Sequence, residues 1–347
     1  MSRVEPVLPP AGEEANSARL SSSRRLNRVA CRRWRRYPRA AATQIAGGMM
    51  KRQSRWWTAA ERLAGKVSDR LYLSIRYYRR FGRWPALKPP AAFSEHLLAF
   101  KLASRGDARL PVMSDKVAVK AWVAERLGER YVIPTLWSGA TLPPREDRIW
   151  PMPYVMKSAH GSAQTIFVRD EADQRWDEIE AKCAGWLDVD EGYGRQDREW
   201  HYAAIRPQII VEPLIGADGV PPPDFKFFTF AGQVGMIEVD ICRFSTHRRY
   251  LFDRNWEPMP FHFKVLPGPD PLPRPANLDR MIELAERAAA GLDFVRVDFY
   301  DTRDGIFFGE ATFFPAGGNG RFIPPEADFV VGKIWTDLMA GRAEGGR

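Results

Sequence analysis

Apolar residues alternating with polar ones predict strands in the second half of the chain. Residues 294–300 and 305–313 are rich in valine, isoleucine and phenylalanine, and Asp304-Gly305 forms a turn between them. Such a pair of runs around a short polar turn is typical of antiparallel strands. The same pattern predicts further strands at 154–157, 164–169, 208–214, 225–230 and 234–240.

Apolar residues at helical spacing predict three helices. The first, 56–81, has a broad apolar stripe among basic residues, so packing on the body and lying on a membrane interface both remain open, with packing favoured. The second follows Ser114, a natural N-cap, and stops at Gly128. The third spans 277–290 after a proline-dense connector.

The positive charge of the chain lies at its N-terminal end. The whole sequence has a net charge of +9, yet residues 1–58 hold 13 Lys and Arg against 3 Asp and Glu, a net charge of +10. The remainder therefore has a net charge of −1, so we expect no nucleic acid as a partner of the body. For the tail we expect disorder. Attraction to an anionic membrane or to nucleic acid, and a true start at Met49 or Met50, remain open.

The other bulk features indicate a cytoplasmic protein. No stretch reaches the roughly 20 apolar residues that a membrane helix requires. Three cysteines are scattered and odd in number, which favours a reducing compartment. We therefore expect a cytoplasmic location, with a peripheral position at the inner membrane surface left open by the basic tail. The polar, glycine-containing segment 188–199 is predicted to be mobile.

The most informative chemistry lies in the last two predicted strands. Because side chains alternate along a strand, Arg296 and Asp298 share one face, and Glu310 and Thr312 share one face of the neighbouring strand. Their neighbours are Val, Phe and Tyr, and buried carboxylates need a compensating charge or metal. Two facing carboxylates suit Mg²⁺, which takes one or two carboxylates together with phosphate oxygens and water. The alternative is an internal salt bridge of Arg296, which would leave one carboxylate over.

A second constellation has features of a phosphate site. Lys157 ends an apolar strand and precedes a small-residue turn that contains His160, Gly161 and Ser162. Such a turn lets backbone N–H groups approach phosphate oxygens, and a lysine supplies charge. An ordinary hairpin with a surface lysine explains the pattern equally well, and His160 by itself is interpreted as structural.

The run 209–214 is a third piece. It is an apolar strand that ends in Glu212-Pro213, followed by Leu214. The proline stops the strand and leaves backbone groups exposed at an edge. Such backbone groups can hydrogen-bond an adenine ring, although any edge strand can do the same. In the next strand Asp224 and Lys226 share a face. Arg243 is a further inward-facing candidate.

These pieces, in this order, resemble the ATP-grasp superfamily and, within it, the TupA-like ATP-grasp family named for teichuronopeptide biosynthesis. The resemblance runs from about residue 93 to 338, and five motifs in order make it fairly specific. They are Ser114-Asp115-Lys116-Val117-Ala118-Val119, Trp200-His201-Tyr202, Asp224-Phe225-Lys226-Phe227-Phe228, Arg296-Val297-Asp298-Phe299-Tyr300 and Phe308-Gly309-Glu310-Ala311-Thr312-Phe313-Phe314-Pro315.

The resemblance implies an α+β ATP-grasp fold, with the nucleotide bound between two α+β lobes. It divides the chain into a basic tail (1–55), a helical pre-domain (56–92), an N-terminal lobe (93–213) and a C-terminal lobe (214–340). ATP and Mg²⁺ are the implied cofactors.

The resemblance also implies roles for single residues. Lys116 and Lys157 would bind nucleotide phosphate or purine, the Gly161-Ser162 turn would be the phosphate loop, and Glu212 to Leu214 the adenine hinge. Asp298 and Glu310 would bind magnesium, and Arg296 would lie at the transferring phosphate. Thr312 stands where many members of the superfamily have a metal-binding Asn, which puts a complete second metal site in doubt.

The function implied is ATP-dependent carboxylate–amine ligation through an acylphosphate, with Arg296 and Lys226 clamping the moving phosphoryl group. The carboxylate would belong to a small molecule or a surface polysaccharide, and segment 188–199 would be a lid. Kinase-like phosphoryl transfer on the same fold remains an alternative. Glycosyl transfer is another, with Asp188-Val189-Asp190 as its metal motif. A non-enzymatic role in nucleic-acid binding fits only the first 58 residues.

Overall fold

The structure is a computed structural model that describes residues 55–188, 194, 196–216, 221–243 and 245–345. The predictions for residues 1–54 and most of those for 189–195 lie outside these ranges. The helices are α1 (Arg55–Val67), α2 (Asp69–Phe81), α3 (Phe93–Ala103), α4 (Arg109–Ser114), α5 (Ala118–Arg126), α6 (Trp176–Leu187), α7 (Leu278–Ala289) and α8 (Ala327–Gly345). The strands are β1 (Trp137–Gly139), β2 (Tyr154–Ser158), β3 (Thr165–Val168), β4 (Ile209–Pro213), β5 (Asp224–Phe230), β6 (Gln233–Ile241), β7 (Arg248–Phe252), β8 (His262–Phe263), β9 (Phe294–Thr302), β10 (Gly305–Thr312) and β11 (Phe322–Ile323).

The first sheet has four antiparallel strands in the order β1-β4-β2-β3. One face buries Met156 of β2 and Val211 of β4 against Ile179 and Cys183 of helix α6. Because β4 pairs with both β1 and β2, it lies inside the sheet. The predicted strands of this region are confirmed, with bounds that differ by one or two residues.

The second sheet has five antiparallel strands in the order β10-β9-β5-β6-β7. One face is apolar and packs on α7, whose Met281, Leu284 and Ala288 are buried there. The apolar half of the other face is covered by α3 and α8. Its other half holds charged side chains. The predicted strands at 225–230, 234–240, 294–300 and 305–313 are confirmed.

Two helical predictions are wrong in detail. The helix predicted over 56–81 is two helices, because Ser68 adopts an extended conformation and its Oγ accepts a hydrogen bond from the Leu71 N–H (3.4 Å), which starts α2 anew. Ser114 is the last residue of α4 rather than an N-cap. Asp115 instead accepts a hydrogen bond from the Val117 N–H (2.8 Å). Gly128, with φ of 122°, does lie beyond the end of α5.

The α1–α2 hairpin packs on the body. The rings of Trp57 and Tyr78 lie 5.6 Å apart, so the two helices run side by side. Leu73 and Ile75 of α2 are buried with Leu98 of α3, as the packing interpretation expected. No helix in the described ranges is both long and apolar enough to cross a membrane.

Helix α3 belongs to the core of the second sheet. Its Phe93 ring lies about 6 Å from the rings of Phe228, Phe294 and Trp335. The expected division of the chain assigns this helix to the N-terminal lobe, and that division stays a prediction.

Candidate active site

Two carboxylates face each other on β9 and β10. Glu310 is directly opposite Asp298, whereas Phe308 is opposite Phe299, so one extra residue, Gly309, is inserted in β10. This β-bulge changes the alternation of side chains. Phe308 points into the apolar core against α7, and Glu310 and Thr312 turn to the charged face, where Asp298 lies. We call Asp298 and Glu310 the carboxylate pair.

Arg296 hydrogen-bonds both members of the carboxylate pair. Its Nε donates to Asp298 Oδ1 (2.7 Å), and its Nη2 donates to Asp298 Oδ2 (2.7 Å) and Glu310 Oε1 (2.7 Å). The same nitrogen lies 3.0 Å from Thr312 Oγ1. The expectation that a salt bridge of Arg296 would leave one carboxylate over is therefore wrong. One guanidinium satisfies both, because its planar fork presents several donors.

Lys226 and Arg243 extend this network across the sheet. Lys226 is buried opposite Asp298, and its Nζ lies 2.7 Å from Asp298 Oδ2 and 3.2 Å from Asp224 Oδ2. Arg243, which follows β6, donates from Nη1 to Asp224 Oδ2 (2.8 Å). The face shared by Asp224 and Lys226 is as predicted. The structure brings all the predicted residues of this group together.

The network shifts the pKa values of its carboxyl groups in opposite directions. Burial raises the pKa of Asp298 above its ordinary value, although Arg296 and Lys226 oppose the shift. Burial also acts to raise the pKa of Glu310, but Arg296, Lys226 and Lys116 hold it well below the ordinary value. Glu310 is thus the firmly ionised member of the pair. Its side chain is also the more exposed of the two.

The carboxylate pair can be tested for its fit to Mg²⁺. Two carboxylates and the Thr312 hydroxyl are hard oxygen donors of the kind that Mg²⁺ prefers. Within the described residues no group of three or more His, Cys, Asp or Glu side chains could hold a metal ion alone. The donor set therefore fits an ion that arrives with phosphate oxygens, and Arg296 must release part of its contact with the pair to admit one.

A cavity of about 320 Å³, which is open to solvent, lies next to the carboxylate pair and between the two sheets. Lys116 and Lys120 of the α5 region, Lys157 of β2 and Glu212 of β4 line it, and so does Gly309 of β10. We call it the lysine cavity. Gly309 in its wall immediately precedes Glu310, so the cavity lies beside the carboxylate pair.

Glu212 lies between two lysines in this cavity. Its Oε2 lies 2.7 Å from Lys157 Nζ and its Oε1 lies 2.6 Å from Lys120 Nζ. Burial acts to raise the pKa of Glu212, but the two lysines lower it below the ordinary value. Burial lowers the pKa of Lys116 and of Lys120. Sequence reasoning missed Lys120, although its position one helical turn after Lys116 was a usable signal.

The turn after β2 is packed around a glycine. Lys116 Nζ donates to the Gly161 carbonyl (2.5 Å). A Cβ on Gly161 would lie 2.3 Å from Gln164 Oε1 and 2.7 Å from Ser158 Oγ, so a larger residue fits here only if these two side chains move. Both of those polar atoms are buried without a hydrogen-bond partner among the described residues, and Ser162 is exposed at the turn. Orphaned polar atoms beside a glycine suit a site that receives a polar ligand.

His160 anchors this turn from behind. Its ring is buried, with Nε2 2.8 Å from the Trp186 carbonyl oxygen and Nδ1 3.4 Å from the Gln208 nitrogen. Both ring nitrogens thus contact the backbone of neighbouring segments. This agrees with its interpretation as a structural residue.

Strand β4 leads into the predicted hinge. Residues 209–211 of β4 are flanked by β1 and β2, so this part of the strand is not an edge. Residues 212–214 lie beyond the pairing with β1, and the expectation of an exposed edge there stays a prediction. The Leu214 N–H donates to the Pro153 carbonyl oxygen (2.9 Å), and Pro213 has no N–H to offer. The Glu212 side chain faces the lysine cavity.

A second charged group on β6 and β7 escaped sequence reasoning. Asp240 accepts hydrogen bonds from Arg249 Nε and Nη2 (2.8 Å each) and lies 2.8 Å from His247 Nε2. Glu238, directly opposite Lys226, pairs with Arg249 (3.0 Å). No motif marked these residues, and alternation along 234–240 was the available signal.

The comparison with family models identifies the chain as an ATP-grasp protein. Residues 95–336 match the family model described as TupA-like ATPgrasp. The chain belongs to this TupA-like ATP-grasp family, because the match spans more than half of its residues.

The comparisons with individual proteins give only distant similarity. No curated protein matches the sequence. The D-alanine–D-alanine ligase from Bacillus anthracis is similar at 16% identity with a TM-score of 0.39, covering 67% of each chain. The ATP-grasp ligase PsnB complexed with minimal precursor, Mg and ADP is similar at 15% identity with a TM-score of 0.39, covering 82% of this chain and 74% of that one.

Proposed function

We propose that this protein is an ATP-dependent ligase that activates a carboxylate and joins it to an amine. The observation that carries the proposal is that the lysine cavity lies beside the carboxylate pair, since Gly309 lines the cavity and is followed directly by Glu310. The lysines of the cavity could bind a polyphosphate, and the neighbouring carboxylate pair could bind the metal ion that accompanies it. Phosphoryl transfer depends mainly on such positioning and charge stabilisation.

The proposed roles follow from position. Lys116, Lys120 and Lys157 hold the ATP phosphates in the lysine cavity, with the Gly161-Ser162 turn as the phosphate loop. The 212–214 segment borders the purine. Arg296 and Lys226 lie where the γ-phosphoryl group moves, and Arg243 extends the positive charge beyond them.

The magnesium ion of MgATP would be held by Asp298 and Glu310, with Thr312 beside them, and would neutralise phosphate charge. Arg296 now hydrogen-bonds both carboxylates. A guanidinium released from one carboxylate is free to donate to a phosphate oxygen. Arg296 would therefore hold the pair in place before MgATP binds and donate to the phosphoryl group once it has bound.

The reaction has two balanced steps. A substrate carboxylate oxygen attacks the γ-phosphorus of ATP, the bond to the β-phosphate oxygen breaks, and ADP leaves with an acylphosphate formed. The amine nitrogen then attacks the acyl carbon, phosphate leaves, and the nitrogen loses a proton to give an amide. The family relationship suggests a uronic-acid polysaccharide as the carboxylate, and a small molecule or peptide fits the same chemistry.

Calorimetric titration with ATP, with and without Mg²⁺, tests the nucleotide site. We expect Mg²⁺-dependent binding by the wild type, weakened about tenfold or more in Asp298→Asn/Glu310→Gln. The variant Asp279→Asn/Glu326→Gln is the matched control, because it neutralises two exposed carboxylates. Its ATP binding should equal that of the wild type. Folded wild-type protein that fails to bind ATP would refute the proposal.

Product analysis then separates ligation from kinase-like transfer. With hydroxylamine as the amine, an acylphosphate yields a hydroxamate together with ADP. A kinase instead yields a stable phosphorylated product that forms equally well without any amine. The glycosyltransferase alternative predicts binding of a nucleotide sugar in place of ATP, and residues 189 and 190 of its motif lie outside the described ranges.

A further inference from the structure

The outer surface of the α1–α2 hairpin combines basic and apolar side chains around its turn. A basic residue precedes an aliphatic one at each of three positions spaced four residues apart, and all six residues are exposed. The aliphatic side chains are 67%, 74% and 45% exposed, in chain order. The pairs are Arg62-Leu63, Lys66-Val67 and Arg70-Leu71. We call these six residues the hairpin tip.

The apolar residues of the hairpin tip are not a misplaced part of the core. The buried face of the hairpin is formed by other residues, such as Tyr72 and Leu73, which pack with Leu98. Leu63 and Val67 lie one helical turn apart on α1, so they project from the same face. Clustered aliphatic side chains that stay in water are typical of an interaction surface.

The hairpin tip carries a net positive charge. The two acidic residues of the hairpin are engaged elsewhere, since Glu61 forms an ion pair with Arg79 and Asp69 lies 2.6 Å from Arg105 and 2.8 Å from Arg198. Three basic side chains therefore dominate the tip. Residues 1–54, which precede α1, hold 12 Lys and Arg against 3 Asp and Glu, a net charge of +9.

We propose that the hairpin tip docks on a membrane surface that contains anionic lipid. Aliphatic side chains next to lysine and arginine match the boundary between acyl chains and acidic headgroups, and each basic residue adds electrostatic attraction. The hairpin tip itself supplies both the apolar and the electrostatic attraction that stable peripheral binding requires. A second copy of this chain fits less well, because two identical tips would bring like charges together. Nucleic acid would leave the aliphatic side chains unused.

Vesicle flotation of the full-length protein tests the proposal. Vesicles contain phosphatidylcholine alone or phosphatidylcholine mixed with phosphatidylglycerol. We expect flotation with the mixed vesicles only, weakening as salt is added. The variant Leu63→Ser/Val67→Ser/Leu71→Ser should lose about tenfold in apparent affinity or more. Ile149→Ser/Val330→Ser is the matched control, since both side chains are exposed away from the tip, and it should float like the wild type.

A second variant separates charge from apolar contact. Arg62→Gln/Lys66→Gln/Arg70→Gln retains the aliphatic residues and should weaken binding to the mixed vesicles while the melting temperature stays close to that of the wild type. Equal flotation of the serine variant and the wild type would overturn the proposal, because the tip would then play no part. Absence of wild-type flotation with the mixed vesicles would overturn it as well.

Discussion

Glu310 stands directly opposite Asp298, although Phe308, only two residues earlier, stands opposite Phe299, the next residue of β9. The inserted residue between them, Gly309, is what lets one short strand contribute an aromatic ring to the core and a carboxylate to the charged face. Gly309 also lines the lysine cavity. The bulge thus connects the proposed nucleotide site to the proposed metal site.

Gly309→Ala should disturb this connection. A Cβ at this position would lie 3.1 Å from Tyr300 Cε2 and 3.2 Å from the Asp298 carbonyl oxygen, so neighbouring backbone must shift. We expect about tenfold weaker Mg²⁺-dependent ATP binding by calorimetry and a stability loss of about 1–3 kcal/mol in urea. Gly185→Ala in α6 is the control, since nothing lies within 4 Å of its added Cβ. Unchanged ATP binding in Gly309→Ala would separate the bulge from the site.

Glu212→Gln should lower the stability of the protein when no nucleotide is bound. The substitution leaves Lys120 and Lys157 close together around a neutral amide, in a site where burial already disfavours the charge of Lys120. We expect a loss of about 2–3 kcal/mol in the free energy of unfolding, measured with urea. The control Asp337→Asn breaks an exposed pair with Lys333 and should cost less than about 0.5 kcal/mol. Adding MgATP should narrow the deficit, because phosphate charge replaces the carboxylate.

Glu238 should make stability fall as the pH rises toward neutrality. Burial raises its pKa to about 7, against the opposing effect of Arg249 on β7. Asp240 of the same strand adds to the increase, while Arg296 of β9 and Lys226 of β5 oppose it. The native state therefore binds a proton that the unfolded state releases near pH 4.5. Its contribution is complete below about pH 4.5 and is lost as the pH passes 7.

The comparison of wild type with Glu238→Gln measures this contribution. The wild type should lose up to about 3 kcal/mol more than the variant between pH 4.5 and pH 8 in urea unfolding. The glutamine stays neutral at every pH in this range, so the stability of the variant lacks the pH dependence that Glu238 contributes. Parallel pH profiles for the two proteins would show that Glu238 titrates normally.

Trp335→Ala should open the core between α8 and the second sheet. The indole stacks on Phe294, with ring centroids 4.8 Å apart, and lies 5.1 Å from Phe230. We expect a loss of about 3–5 kcal/mol in the free energy of unfolding. Val330→Ala, on the exposed side of the same helix, should change it by less than about 1 kcal/mol. If Trp335→Ala changed the free energy of unfolding as little as Val330→Ala does, the packing of α8 on the second sheet would contribute little to stability.

Local patterns predicted the strands and the shared faces well. Arg296 and Asp298 follow from alternation alone, because neither residue depends on a distant segment to choose its face. Glu310 and Thr312 were placed on one face correctly, but sequence did not show that a bulge at Gly309 turns that face toward Asp298. Nothing in the local sequence distinguishes a bulged glycine from a paired one.

What sequence could not predict depends on contacts between distant segments. Ser114 was predicted to be an N-cap, but α4 extends through it. Ser68 lay inside the single helix predicted over 56–81, and the structure makes it the N-cap of α2. The interior position of β4 follows from the pairing of residues 137–139 with 209–211, which no periodicity reports. The pairing of Lys120 with Glu212 likewise joins a helix to a strand about ninety residues away.

The packing of α3 against α8 affects how the chain acquires its structure during synthesis. Gly332 of α8 approaches the backbone just before α3 so closely that an added Cβ would lie 2.1 Å from the Ala91 carbonyl oxygen. Phe93, the first residue of α3, lies beside Trp335. These contacts join residues more than two hundred positions apart. A ribosome must therefore translate most of the chain before the aromatic face of the second sheet is covered. Until then Phe93, Phe228 and Phe294 lack this cover, and exposed aromatic surface of this kind makes a nascent chain prone to aggregation.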